Sequence, residues 1–231
     1  MKITNIENFI VDAGWRPWGF VKVETDEGIT GWGECSDGRS PNGVAGTIED
    51  LKPVLIGTDP REFEMRFWDM FRATRQSPGG IAAKALAGLD CAFIDIKAKS
   101  LGISVPELFG GPTRERVRVY WSHCGTSRVG NNELIGVPAL RTWDDITNLG
   151  KEVVERGFTA LKTNIIGPGD APVHFGGGFG GGKGSTDQVV TKGVLRHVEK
   201  LIGTFRDAVG PDVDINLDIN FNFKTEACLR I

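Results

Sequence analysis

The feature that most constrains this chain is a change of rhythm at Gly110-Gly111-Pro112. Beyond it the sequence alternates strand and helix. Residues 117–122 read as a strand, and residues 143–156 as a helix opened by the N-cap Thr142. Residues 159–166 read as a strand, a helix follows a glycine-rich loop from about residue 187 to 209, and residues 214–220 form a third strand. This spacing predicts parallel βα units. Before the change, residues 3–11, 19–25 and 29–34 read as three strands, with Asp26-Glu27-Gly28 as a turn, and suggest an antiparallel meander. Helices are expected over 47–55, over 60–72 with Pro60 in the first turn and Phe63, Phe67 and Phe71 on one face, and over 81–101. The last carries Leu86, Leu89, Phe93 and Ile96 on one stripe and stops at Gly102.

The expected architecture is therefore an α+β domain over residues 1–112, then the first three βα units of a TIM-like barrel over 113–231. A closed (β/α)₈ barrel takes about 250 residues, and the second segment is about half of that. The expectation is an incomplete barrel whose remaining strands lie beyond residue 231.

Composition narrows the function. At 40% hydrophobic and 25% charged residues the chain can bury an ordinary core. A net charge of −3 gives no basic field for nucleic acid or an anionic membrane. No apolar run is long enough to span a bilayer, and the start does not read as a signal peptide, so a cytoplasmic protein is expected. Cys35, Cys91, Cys124 and Cys228 make no Cys-x-x-Cys pair and read as packed thiols, and His174 and His197 read as loop and helix-surface residues, with no spacing suited to zinc.

In parallel α/β proteins functional side chains gather at the C-terminal ends of strands. Here those ends hold His123, Lys162-Thr163-Asn164 and Asp218-Ile219-Asn220. Side chains alternate along a strand, so Lys162 and Asn164 should face one way, as should Asp218 and Asn220. A lysine and a carboxylate aimed inward from neighbouring strands need partners. Two readings stay open: a structural ion pair, or ligands to a metal and a substrate anion. Gly177 to Lys183 nearly forms a phosphate loop, but Gly184 stands where its hydroxyl residue belongs. The glycine-rich stretch 176–184 reads instead as a flexible loop over the barrel mouth, followed by the helix cap Ser185-Thr186-Asp187-Gln188. Trp15, Arg16 and Trp18 form an aromatic loop between the first two strands.

The run Leu89-Asp90-Cys91-Ala92-Phe93-Ile94-Asp95-Ile96-Lys97-Ala98-Lys99-Ser100-Leu101-Gly102, continued by Val105-Pro106-Glu107-Leu108-Phe109-Gly110-Gly111, resembles the mandelate racemase/muconate lactonizing enzyme branch of the enolase superfamily. Val21 to Glu34 is similar to the meander of its capping domain. The resemblance implies a capping domain on a modified TIM barrel and Mg²⁺ as cofactor. It implies Asp218 as a metal ligand, with Lys162, Asn164 and Asn220 as catalytic-site residues. Arg16 and Trp18 match the place of the capping loop that sets specificity and are expected as substrate contacts; His123, by its place after the first barrel strand, is expected either to face the substrate or to be a hydrogen-bonded structural histidine. Asn164 stands where a second lysine would serve as base, so the resemblance is strongest to acid-sugar dehydratases of the galactonate type. Asn220 has no titratable proton to donate and is expected to bind the substrate or a metal-bound water. The implied reaction is dehydration of an aldonate or aldarate to a 2-keto-3-deoxy acid through an enediolate stabilised by the cation and Lys162. The alternatives are a racemase, epimerase or cycloisomerase of the same superfamily, and a non-catalytic sugar-acid binding protein. The expected partner is a small-molecule sugar acid, with the chain forming a homo-oligomer.

Overall fold

The computed structural model describes residues 1–175, 190–220 and 223–231. The chain divides into two compact units, Met1–Glu115 and Arg116–Ile231.

In the first unit, β1 (Ile3–Asp12), β2 (Pro17–Thr25) and β3 (Thr30–Glu34) form an antiparallel meander in that order. Alternation places Val21, Val23 and Thr25 of β2 inside while Lys22 and Glu24 face outward and pair with each other. Helices α1 (Pro41–Leu55), α2 (Phe63–Ala73), α3 (Gly80–Leu101) and α4 (Val105–Leu108) follow. The core joins Ile3, Ile6, Val21 and Val23 to Ile48, Leu51 and Leu55 of α1, Met70 of α2 and the Leu86/Leu89/Phe93/Ile96 stripe of α3.

The two glycines of β3 allow its backbone to lie on α3. A Cβ at Gly31 would sit 2.1 Å from the Ala92 carbonyl oxygen, and one at Gly33 would sit 1.9 Å from that of Gly88. Trp32 between them is exposed, and its backbone N–H donates to Asp95 Oδ2 at 3.0 Å. Gly102 ends α3 in the left-handed conformation, at φ 68°.

Two helix starts differ from expectation. Helix α1 begins at Pro41, six residues before the expected start, with proline in its first turn. Helix α2 begins only at Phe63. Asp59 turns back to hold the Arg61 backbone N–H and guanidinium at 2.7–3.2 Å, which makes 59–62 a turn and leaves Pro60 outside the helix.

The second unit contains α5 (Thr126–Gly130), α6 (Trp143–Glu155), β4 (Ala160–Thr163), β5 (Ile166–Gly167), β6 (Val173–His174), α7 (Lys192–Val209), β7 (Asp214–Leu217) and α8 (Thr225–Cys228). Strands β4 and β7 are parallel, with Leu161 opposite Ile215 and Thr163 opposite Leu217. Helix α6 starts on a capping box between Thr142 and Asp145, and it packs on α7 so closely that a Cβ at Gly150 would meet Ala208 Cβ at 2.6 Å. Ile146, Leu149, Val153, Leu161, Leu201 and Phe205 form the centre of this unit.

The strand expected over 117–122 reduces to one parallel bridge, Trp121 with Leu161. Val117 and Val119 are 70% and 65% exposed, and the neighbouring strand begins only at Ala160, so among the described residues no strand pairs with them before Trp121. The short β5–β6 hairpin was not expected. Helix α7 is capped by Thr191, whose Oγ1 accepts the Val194 N–H at 3.2 Å. The glycine-rich stretch 176–184, the proposed cap at 185–188 and the expected helix start near 187 lie outside the described residues, apart from this later cap. Among the described residues no helix is long and apolar enough to cross a membrane.

Candidate functional site

Parallel pairing of β4 with β7 brings the ends of these strands side by side. Lys162 Nζ lies 3.0 Å from Asp218 Oδ2, with the two side chains 22% and 29% exposed. The Asp218 N–H extends the ladder by donating to the Thr163 carbonyl at 2.8 Å. The carboxyl of Asp218 is held below its ordinary range by the backbone N–H of Asn220, then by the Lys162 ammonium, with the nearby His123 contributing least. Lys162 is raised in turn, first by its hydrogen bond to Asp218. Its ammonium also sits 5.6 Å from the centre of the Tyr120 ring.

Asn164 is buried at 4% exposure. Thr126 Oγ1 donates to its Oδ1 at 2.9 Å, and its Nδ2 donates to the Asp218 carbonyl at 2.8 Å. Both ends of the amide are thus engaged by protein, and they tie the end of β4 to the backbone of Asp218. Asn220 departs from the expected alternation with Asp218. Strand β7 stops at Leu217, and Asn220 turns into the left-handed region at φ 52°, where its backbone N–H donates to Asp218 Oδ1 at 2.9 Å. Its side chain is exposed, so the strand geometry that was to aim it beside Asp218 does not extend that far.

His123 also adopts a positive φ, 54°, and its Nδ1 lies 2.9 Å from Ser122 Oγ. The structure thus brings together Lys162, Asn164 and Asp218, with His123 near enough to act on the charge of Asp218. Tyr120 and Thr126 belong to the same cluster and were not singled out as site residues by sequence. Tyr120 stood at an expected strand end, but nothing in the sequence marks Thr126.

In the first unit, Trp18 is the second residue of β2 and pairs with Val11, so the aromatic loop is shorter than the sequence suggested. The Arg16 guanidinium lies 4.3 Å from the Trp15 ring and 6.0 Å from that of Trp18. Trp18 Nε1 is buried, and among the described residues it has no hydrogen-bond partner.

Magnesium takes about six oxygen ligands in near-octahedral geometry. Asp218 offers one carboxylate of suitable chemistry, already bonded to Lys162 and Asn220. Among the described residues no group of three or more His, Cys, Asp or Glu could hold a metal. These residues contribute one candidate ligand and do not by themselves build a magnesium site.

Other expected readings change with the structure. His197 is not a plain surface residue: its Nε2 is 2.7 Å from the Ile166 carbonyl and its ring packs 5.5 Å from that of Trp143. His174 lies in β6 rather than in a loop. Cys35 and Cys124 are packed, with burial pushing the Cys124 thiol up to about 12, whereas Cys91 and Cys228 are exposed.

Residues 13–110 match the family of mandelate racemase / muconate lactonizing enzyme, N-terminal domain. A D-galactonate dehydratase from Variovorax paradoxus is 41% identical over 165 residues, which is 71% of this chain and 38% of that protein. The chain spans well under half the length of the curated galactonate dehydratases it matches over this stretch. Among solved structures, a Burkholderia xenovorans protein provisionally named an L-alanine-DL-glutamate epimerase, bound to magnesium and fumarate, is 38% identical with a TM-score of 0.92. The match covers 100% of this chain and 57% of that one. A member of the enolase superfamily from Salmonella Typhimurium is 28% identical with a TM-score of 0.83, covering 99% of this chain and 57% of that one. Those matches agree with the α+β unit followed by parallel, barrel-like elements. Residues 13–110 are thus an N-terminal domain of the mandelate racemase / muconate lactonizing enzyme type, and the chain as a whole has the fold of the enolase-superfamily structures it matches.

Proposed function

We propose that this chain carries the capping domain and first barrel strands of a magnesium-dependent hydro-lyase. Its reaction is the dehydration of an aldonic or aldaric acid to a 2-keto-3-deoxy acid. The observation that carries the reading is the Lys162–Asp218 pair at 3.0 Å on adjacent parallel strand ends. It is supported by the galactonate dehydratase relatives.

In this reading Asp218 is one metal ligand, and the others come from outside the described residues. The metal, when bound, supplies charge stabilisation to a carboxylate whose neighbouring carbon loses a proton. Lys162 keeps a fixed positive charge at the same place, because its raised pKa leaves it protonated at neutral pH. Asn164 acts by position: its two hydrogen bonds hold the Asp218 backbone still, and it offers no base. Asn220 acts first through its backbone N–H, which holds Asp218 Oδ1. His123 is assigned to the substrate, and Arg16 with Trp18 to a carboxylate or hydroxyl group of it.

A second reading is an epimerase, favoured by the likeness to the Burkholderia xenovorans protein named as an L-alanine-DL-glutamate epimerase. Product analysis in deuterium oxide separates the two. A dehydratase yields a 2-keto-3-deoxy acid, whereas an epimerase returns the starting formula with one deuteron at the carbon beside the carboxylate. Turnover in neither form, together with tight sugar-acid binding, would leave a non-catalytic binding protein.

A further inference from the structure

A second concave site lies wholly within the first unit, between α2 and α3. It encloses about 280 Å³ and is walled by Phe67, Phe71, Leu86, Ala83 and Ala87, with Asp90 at one side. Ala83, Leu86, Ala87 and Asp90 recur at helical spacing, so one face of α3 forms a wall. The facing wall is the Phe67–Phe71 pair, stacked at 6.2 Å between centroids with planes 20° apart. Phe71 is 38% exposed and opens the cleft to solvent.

Asp90 is the one ionisable group among the residues that line this cleft. Its Oδ1 is buried and, among the described residues, has no hydrogen-bond partner. Burial pushes its carboxyl up, with the charge of Glu64 adding to the effect. A carboxylate in apolar surroundings calls for a cation that brings its own hydrogen-bond donors. Two nearly parallel phenyl faces favour a flat, positively charged group. At roughly 30 Å³ per water-sized group the space suits a molecule of about nine heavy atoms. Asp90 and Glu64 together repel anions, so a sugar acid is the wrong charge for this cleft.

We propose that the α2–α3 cleft binds a small flat organic cation of the aryl-amidinium or aryl-ammonium class, its charge on Asp90 and its ring against Phe67 and Phe71. The site is separate from Lys162 and Asp218, and it stands whether or not the chain is a dehydratase.

The test is titration of benzamidinium into the protein, followed by calorimetry and by ¹H–¹⁵N correlation spectra, with benzoate as the anionic control of similar shape. The expected result is one-to-one binding, with shifts concentrated at Gly79, Ala83 and Ala87 and none from benzoate. Asp90→Asn should weaken binding tenfold or more. Ala87→Leu, a change at an exposed position that fills the cleft, should abolish it and leave the circular dichroism unchanged. No binding by the wild type overturns the proposal. So does undiminished binding by Asp90→Asn or by Ala87→Leu, or an equal response to benzoate. Should Asp90→Asn fail to fold, Ala87→Leu decides alone.

Discussion

Asn164 shows how much a single burial changes a reading. From sequence it was an inward-facing strand residue two places after a lysine, and its chemistry could be assigned only by resemblance. In the fold its amide is enclosed and bonded at both ends, to Thr126 and to the Asp218 carbonyl. Thr126→Val should therefore leave a buried acceptor short of its donor and cost about 1–2 kcal/mol, whereas Thr126→Ser keeps the bond. Urea unfolding of both variants checks this, and equal losses would contradict it. The Lys162–Asp218 pair gives a pH signature. Asp218 is lowered, so its contribution is full above the ordinary carboxylate pKa and fades as pH falls through the lowered value. Lys162 is raised, so its contribution is full below the ordinary lysine pKa and fades as pH rises through the raised one. Both groups are partly exposed, which holds the pair to about 0.5–1 kcal/mol. Asp218→Asn should flatten both the acid and the alkaline edge of the stability profile by that amount, measured as the urea midpoint against pH. An unchanged profile would mean that the pair contributes nothing.

At the scale of elements, what could be read in advance was what repeats. Helix α3 carries four large apolar residues on one stripe and a left-handed glycine at its end, so its face and its stop were both legible. Strands β2 and β3 likewise alternate over five residues or more, whereas β1 buries only Ile3 and Ile6. Strands β5 and β6 have two residues each, too short for any period to show. Residues 117–120 look like a strand by composition but, among the described residues, have no strand paired along them, and composition cannot report whether a neighbour is there. Asp59-Pro60 looks like a helix start until Asp59 is seen holding Arg61. The spacing of glycines in β3 and α6 also makes a prediction. Gly33→Ala puts a methyl into the Gly88 carbonyl and should destabilise the first unit by about 3 kcal/mol. Gly150→Ala meets side chains rather than backbone, Ala208 Cβ at 2.6 Å with Val209 and Phe205 at ordinary contact distance, and should cost less, about 1–2 kcal/mol. Thermal melts would rank the two, and the reverse order would contradict the close β3–α3 contact.

For the whole molecule, the family resemblance was legible because the α3 motif and the meander turn are local strings, contiguous in sequence, whose buried residues such as Leu89, Phe93 and Ile96 build the first core. The Lys162–Asp218 part of the candidate site was less so. Asp218 and Lys162 lie 56 residues apart in sequence yet touch in space, and only the parallel register of β4 with β7 joins them. The left-handed turn at Asn220, which moves it off the strand, is one that asparagine adopts more readily than other side-chain-bearing residues, but residue type alone does not say that it occurs here. The proposed role of Asp218 in a magnesium-dependent dehydration can be measured directly. The intact protein and its Asp218→Asn variant are each incubated with a library of sugar acids and magnesium, and 2-keto-3-deoxy acid is assayed. The expected result is product from the wild type, lost on chelation, with at least a thousandfold (about 4 kcal/mol) lower rate in the variant, whose fold is retained. Retained activity in Asp218→Asn, or a wild-type rate indifferent to magnesium, would contradict the account.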